Sequence, residues 1–203
     1  MDQKALYKLT YGLYLLTARE DARDSGCIIN TAVQVANDPV RISVSVIKGN
    51  HTCAMIRRTG VFNVSAITTD ASFALFQRFG MQSGRDTDKF AGFDDMSRSG
   101  NGLYYLTKAA GMYLSARVVE EMDLGSHVLF IAEVTDGAVT GSAPECTYAH
   151  YQNEIKPKQE QTDGKKRWVC SVCGYVYEGE SMPDDFLCPL CKHGKEDFVL
   201  TGT

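Results

Sequence analysis

Four cysteines near the C-terminus, Cys170, Cys173, Cys188 and Cys191, carry the plainest chemistry in this chain. They form two C-x-x-C pairs, C-S-V-C and C-P-L-C, with fourteen residues between them. A C-x-x-C turn brings two sulfurs to one side of a tight knuckle. Two facing knuckles make a tetrahedral four-thiolate site, which suits Zn²⁺ or a single iron. Four unrelated buried thiols would need that double spacing to be coincidence.

The neighbouring residues bear on the metal. Gly174 follows the first pair, where a positive φ would turn backbone N–H groups toward a sulfur. Trp168, Tyr175, Tyr177, Phe186 and Phe198 can wrap a small core and exclude water, which matters more for a redox iron than for a structural zinc. The stretch C-x-x-C-G-Y-x-Y, P-D-D-F-x-C-P-x-C and K-x-x-F over residues 168–203 resembles a rubredoxin. That resemblance implies one Fe(Cys)₄ centre, ferric or ferrous, acting as a one-electron carrier. Two features depart from the common pattern. The loop between the pairs is short, as in the abbreviated rubredoxins fused to larger redox proteins. Lys192 also stands where the second knuckle usually has glycine. Zinc remains the alternative metal.

The chain has 203 residues, too many for a lone metal knuckle, and residues 1–167 can bury a core of their own. From Trp168 onward two Lys/Arg face six Asp/Glu, a balance of −4, which equals the net charge of the whole chain and leaves residues 1–167 neutral. An acidic carrier domain suits docking on a basic partner surface and argues against nucleic acid. Cys27, Cys53 and Cys146 lie outside the quartet. An odd remainder with no secretion signal fits a reducing cytoplasm. The apolar run Leu13–Leu16 precedes the charged Arg19-Glu20-Asp21 and has no small-residue cleavage site, so it is expected as a helix face. No segment approaches a membrane span.

Residues 151–167 have linker composition, which divides the chain into 1–150, a linker, and 168–203. The alternating, β-branched run Val40–Ile47 predicts a strand, as do Val61–Ile67, Tyr113–Val119 and Val128–Val134. Gln3–Leu9, Thr52–Thr59 and Ala71–Phe79 are expected as helices, the second capped by Asn50 or Thr52. The fold class is mainly β with short helices, a closed or split β-barrel followed by a small knuckle domain.

Three stretches of the larger part could meet a ligand. Ser25–Pro39 is a small-residue strand and loop that would let a flat ring approach the backbone. An ordinary barrel turn would read the same way. Lys48–Thr52 joins a strand end to a helix N-terminus, which favours a phosphate, although a plain cap also fits. Gly125–His127 starts a strand with a histidine. Lone histidines are more often structural, and His51, His150 and His193 warrant only that default.

In this order the text S-G-C-x-x-N-T-A-x-Q-V-A-x-D-P, K-x-N-H-T, T-G-x-F-x-V-S, S-G-R-D-x-D-K-F-A-G and G-S-H-x-x-F-I-A-E-V resembles the flavin reductase-like family, with its FMN-binding split barrel. The resemblance implies a homodimer with one FMN per subunit near the interface. By resemblance, Asn30, Thr31 and Gln34 line the isoalloxazine or ribityl region. Asn50 and Thr52 hold the phosphate end, helped by Ser83 and Lys89. Ala32, Val33 and Lys48 belong to the same cofactor-binding set, and His127 is the catalytic candidate, beside the flavin where nicotinamide approaches. Here G-S-H replaces the acidic G-D-H common in the family.

A flavin reductase-like domain followed by a rubredoxin resembles the high-molecular-weight rubredoxins. The resemblance implies that NAD(P)H delivers a hydride to FMN, that single electrons pass to Fe(Cys)₄, and that a flavodiiron protein reducing O₂ or NO receives them. Two other readings stay open. One is a flavin or ferric reductase with a structural zinc knuckle. The other is a non-catalytic electron carrier.

Overall fold

The computed structural model describes residues 8–157, 166–171, 175–188 and 193–201. In chain order the elements are β1 (Tyr14–Glu20), β2 (Arg23–Ile29), β3 (Ala32–Asn37), β4 (Val40–Ile47), α1 (His51–Thr59), β5 (Val61–Ile67) and α2 (Phe73–Gly80). There follow β6 (Met96–Arg98), β7 (Tyr104–Leu106), β8 (Ala110–Asp123), β9 (His127–Val139), α3 (Tyr148–His150), β10 (Arg167–Cys170), β11 (Val176–Glu178) and β12 (Phe198–Thr201). The protein is mainly β with short helices, as its periodicity predicts. Among the described residues no helix is long and apolar enough to cross a membrane.

Seven strands form one sheet in the order β2-β1-β5-β8-β9-β4-β3, each neighbour antiparallel. The long β8–β9 pair shifts register at Ser115/Ala116 and Val118/Glu120, irregularities that bend and twist a sheet locally. β4 shows why alternation predicts a strand: Ile42, Val44 and Val46 are buried while the residues between them are not. These side chains join Leu16, Phe62, Val64 and Phe130 in one core, with Met55 and Ile56 of α1 packed among them. Truncating a fully buried phenylalanine such as Phe62 to alanine would cost about 3–5 kcal/mol.

The expected helix face at Leu13–Leu16 is a correction, because Tyr14–Glu20 is strand β1. Leu16 enters the core just described, while Leu13 and Leu15 enter a second one with Ile67, Phe76, Phe79 and Leu106. A strand buried on both faces reads as an unbroken apolar run, and periodicity cannot separate it from a buried helix. The expected helix at Ala71–Phe79 begins two residues later, after Ser72. That at Gln3–Leu9 falls largely outside the described residues. Ser25–Pro39 makes parts of two strands, β2 and β3.

The expected linker start at Tyr151 is also revised. α3 continues through Tyr151–Ile155 in a wider π-type turn, closed by the Lys156 N–H donating to the Tyr151 carbonyl at 2.8 Å. Tyr151 is buried, with its ring 4.5 Å from that of Phe76, and Ile155 packs on the same core. Polar composition concealed two apolar anchors one helical turn apart.

The C-terminal unit is a three-stranded sheet, β11-β10-β12. Its core contains Cys170, Met182, Cys188 and Phe198, with Trp168, Tyr175, Tyr177 and Phe186 packed around them.

Candidate functional site

Two places gather the residues singled out in the sequence. The first is the N-terminus of α1. β4 ends at Ile47, and the Asn50 N–H turns back to the Ile47 carbonyl at 2.9 Å. Asn50 then caps the helix, its Oδ1 accepting from the Thr52 N–H at 2.9 Å. Thr52 is fully buried, and its Oγ1 lies 2.9 Å from Oγ of Ser25 on β2. The loop carrying Ser83 closes over this pair because Gly84 has no side chain. A Cβ there would meet Ser25 Oγ at 3.0 Å and the His51 ring at 3.6 Å. Arg23 fastens the loop, donating to the Gly84 and Arg85 carbonyls at 2.7 Å each.

The electrostatics around His51 are mixed, since Glu20 opposes the nearby arginines and pairs with Arg58 at 2.6 Å. Burial pushes the His51 imidazole below its ordinary value, and the guanidinium groups of Arg23, Arg85 and Arg58 push in the same direction. Among the described residues, its Nε2 is buried without a hydrogen-bond partner. A buried, orphaned nitrogen among guanidinium groups, beside a helix N-terminus, fits a phosphate. Spacing alone gave His51, Ser25, Arg23 and Arg85 no role. The available signal was His51 inside K-x-N-H-T and Arg85 inside S-G-R-D.

Next to this lies a cleft of about 180 Å³ lined by residues that include Asn30, Ser45, Ile47, Asn50, His127 and Tyr148. Asn30 and His127 thus share one surface although they are far apart in sequence. The pairing of Ile47 with His127 in the β4–β9 register brings this about. His127 Nδ1 lies 2.9 Å from Ser126 Oγ, so the serine of G-S-H engages the ring. Gly125 adopts φ +84°, the left-handed region that favours glycine, and its N–H donates to Asp123 Oδ1 at 2.8 Å. Cys27 also borders the cleft, where burial pushes its thiol up to about 11, so it stays protonated.

Other candidates lie elsewhere. Thr31 Oγ1 donates to the Ser45 carbonyl at 2.9 Å and thereby ties β3 to β4. Ala32, Val33 and Gln34 lie on the outermost strand of the sheet. Val33 is 61% exposed, and the Gln34 amide is spent on Asn37 at 2.8 Å. Lys48 pairs with Asp123. Lys89 departs most from expectation: it is buried, and its Nζ donates to the Gly26 and Phe79 carbonyls at 2.9 and 3.0 Å. An ammonium committed to two carbonyls inside the fold is a staple between β2 and α2.

The second place is the C-terminal unit. Cys170 and Cys188 are buried at 1% and 0% exposure. Each makes a backbone hydrogen bond to the residue five positions on. The Cys170 N–H donates to the Tyr175 carbonyl at 2.9 Å, and the Cys188 N–H to the His193 carbonyl at 2.8 Å. Two like hydrogen bonds, one across each C-x-x-C segment, fit a four-thiolate metal site. Cys173, Gly174, Cys191 and Lys192 lie outside the described residues. The aromatic shell expected from sequence is present, with Phe186 edge-on to Phe198 at 5.5 Å and tilted against Tyr177 at 4.8 Å.

Two family models match the chain. The Flavin reductase like domain model matches residues 6–158, and the Rubrerythrin, rubredoxin-like domain model matches residues 168–199. The chain is 35% identical to a high molecular weight rubredoxin of Moorella thermoacetica over 98% of this chain and 99% of that one. It is 35% identical to a ferric-chelate reductase (NAD(P)H) of Archaeoglobus fulgidus over 80% of this chain and 95% of that one. A flavin reductase domain protein from Arthrobacter shares the fold, with a TM-score of 0.63 at 14% identity over 91% of this chain and 97% of that one. The chain belongs to the flavin reductase-like family, with a rubredoxin-like domain joined to its C-terminus.

Proposed function

We propose that this chain is an NAD(P)H-dependent flavin oxidoreductase. Electrons pass from nicotinamide through FMN in the first unit to an iron held by Cys170, Cys173, Cys188 and Cys191, and on to a flavodiiron O₂ or NO reductase. When bound, FMN converts a two-electron hydride into single electrons, which the four-thiolate iron takes one at a time. The observation that carries this reading is the orphaned Nε2 of His51, set among Arg23, Arg58 and Arg85 beside the cleft that holds Asn30, Asn50 and His127.

The residues divide the work. The N-terminus of α1, His51 and the Ser83–Gly84–Arg85 loop receive the phosphate, and Ser25 and Thr52 hold that floor rigid. Asn30 lines the ring, and Asn50 caps the helix end that receives the phosphate. Ser126 engages Nδ1 of His127, which leaves Nε2 for a bound nicotinamide. The aromatic shell around Cys170 and Cys188 keeps water from the metal.

A cleft of about 180 Å³ is small beside typical ligand pockets of about 300–1,000 Å³. Val33 and Val35 on outer strand β3 are 61% and 51% exposed. A second copy seated on that strand would cover them and enlarge the site, so the working form is a homodimer. Buried Cys27, Cys53 and Cys146 suit a reducing cytoplasm. Domain limits near 158 and 168 suit the two cores.

One anaerobic titration with NADH and with NADPH tests the reading. Flavin absorption should bleach first and the iron bands should follow. A protein that shows only flavin bands would support the zinc alternative. Flavin that neither nicotinamide bleaches would leave only a carrier.

A further inference from the structure

Among the described residues, the core of the metal unit takes in side chains from both ends of α2. Met81 follows α2 in the first unit, yet its buried side chain clusters with Cys170, Met182, Cys188 and Phe198 of the second. Phe73, at the other end of α2, packs against both that cluster and the core containing Phe76 and Tyr151. Nearby, a cleft of about 680 Å³ brings Ser171, inside the first knuckle, together with Tyr11, Tyr148 and Lys156. Tyr148 lines this cleft and also the one holding Asn30, Asn50 and His127.

We propose that α2 and α3 form a docking surface for the chain's own metal unit. Met81 is its anchor, and Tyr148 stands between the docked knuckle and the flavin cleft. The proposal rests on the reading that the two units hold flavin and iron. It adds that electrons cross within one chain, at a separation set by Met81 and Phe73. Met81 belongs to the first unit by sequence, but the apolar cluster it joins is built around the second unit's cysteines. A charge there should therefore release the metal unit while the seven-stranded sheet stays intact. A buried apolar contact of this kind sets distance and orientation, and a small misplacement of redox partners is costly in rate. Met81 and Phe73 are thus positioning residues.

The chain has one tryptophan, Trp168, held in the second unit by its indole N–H donating to the Gly179 carbonyl at 3.2 Å. Its time-resolved fluorescence anisotropy reports the tumbling of that unit in the full-length protein, with or without cofactors. In the wild type it should decay with the correlation time of the whole particle. Met81→Asp should shorten that time severalfold, and Met81→Leu should leave it long. Circular dichroism and FMN binding should be unchanged in both variants. A short correlation time already present in the wild type, or a long one in Met81→Asp, would overturn the proposal. In the loaded enzyme Met81→Asp should slow flavin-to-iron transfer on the order of tenfold or more. NAD(P)H oxidation with ferricyanide should be unaffected, since the flavin site is intact. An unaltered transfer rate in a released unit would overturn the positioning role. Failure of NAD(P)H to bleach the flavin would refute the proposed function and leave the anisotropy result standing.

Discussion

Ser25 and Thr52 share a buried hydrogen bond, Oγ to Oγ1 at 2.9 Å, that joins β2 to the first turn of α1 beneath the candidate phosphate site. Removing one hydroxyl strands the other inside the protein. Thr52→Ala should therefore cost about 1–3 kcal/mol of stability. It should also weaken FMN binding, because the floor of the site loosens. Urea unfolding with a parallel flavin fluorescence titration would measure both. Unchanged FMN affinity in a destabilised variant would place the phosphate elsewhere.

Lys89 should behave differently from a phosphate ligand. Its ammonium satisfies the carbonyls of Gly26 and Phe79 inside the fold. Lys89→Met keeps the stem and removes the donor, and should lower stability by roughly 1–3 kcal/mol. FMN affinity, measured on the folded fraction, should change little. A large loss of affinity at wild-type stability would restore Lys89 to the phosphate site.

His51 makes FMN binding depend on pH. Without a ligand, burial and three arginines hold its pKa below the ordinary 6.5. A bound phosphate supplies an anionic partner and raises it. Binding then takes up a proton, so affinity gains as pH falls below 6.5 toward the lowered value. Protonation of the phosphate itself acts in the opposite direction, and a His51→Gln variant isolates the histidine's share. FMN titrations of both proteins across that range should show the gain in the wild type alone.

The metal knuckle should be separable from flavin binding. Cys170→Ala removes one thiolate of the quartet and should abolish the iron bands, while FMN stays bound and NAD(P)H still bleaches it. Absorption spectra of the variant before and after anaerobic NADH check this. Joint loss of flavin and iron would show that the two cores do not fold independently.

Partner docking should respond to salt. Glu178, Glu180, Asp184, Asp185, Glu196 and Asp197 outnumber Lys192 and Lys195 after Trp168. Asp184 spends its charge on Lys195, at 2.6 Å, and that contact holds its carboxyl below the usual range. Glu180 is 87% exposed even though it pairs with Lys166, so it remains open to a basic partner. Raising ionic strength should slow electron transfer to a flavodiiron acceptor, measured by stopped flow. A salt-independent rate would indicate an apolar docking face.

Local pattern made much of this protein legible. Alternation located β4 to the residue, because a strand with one buried face must repeat every second position, whereas β5, also located to the residue, is buried on both faces. Asn50 marked the start of α1, because a cap acts across two or three residues of chain. The double C-x-x-C spacing pointed to a four-thiolate site, because each pair of sulfurs is local in the chain.

Only the tertiary structure decided what depends on distant partners. Tyr14–Leu16 became part of a strand because both its faces are buried in cores. Lys89 became a staple because Gly26, sixty-three residues away in sequence, presents its carbonyl there. His51 gained its candidate role from Arg23 of β2 and Arg85 of the Ser83 loop, which folding brings to it. Met81 faces the metal unit because folding brings Cys170 and Cys188 to it. Each of these residues has a side chain whose type permits several roles. The choice rests on a contact across the fold, which spacing along the chain does not encode.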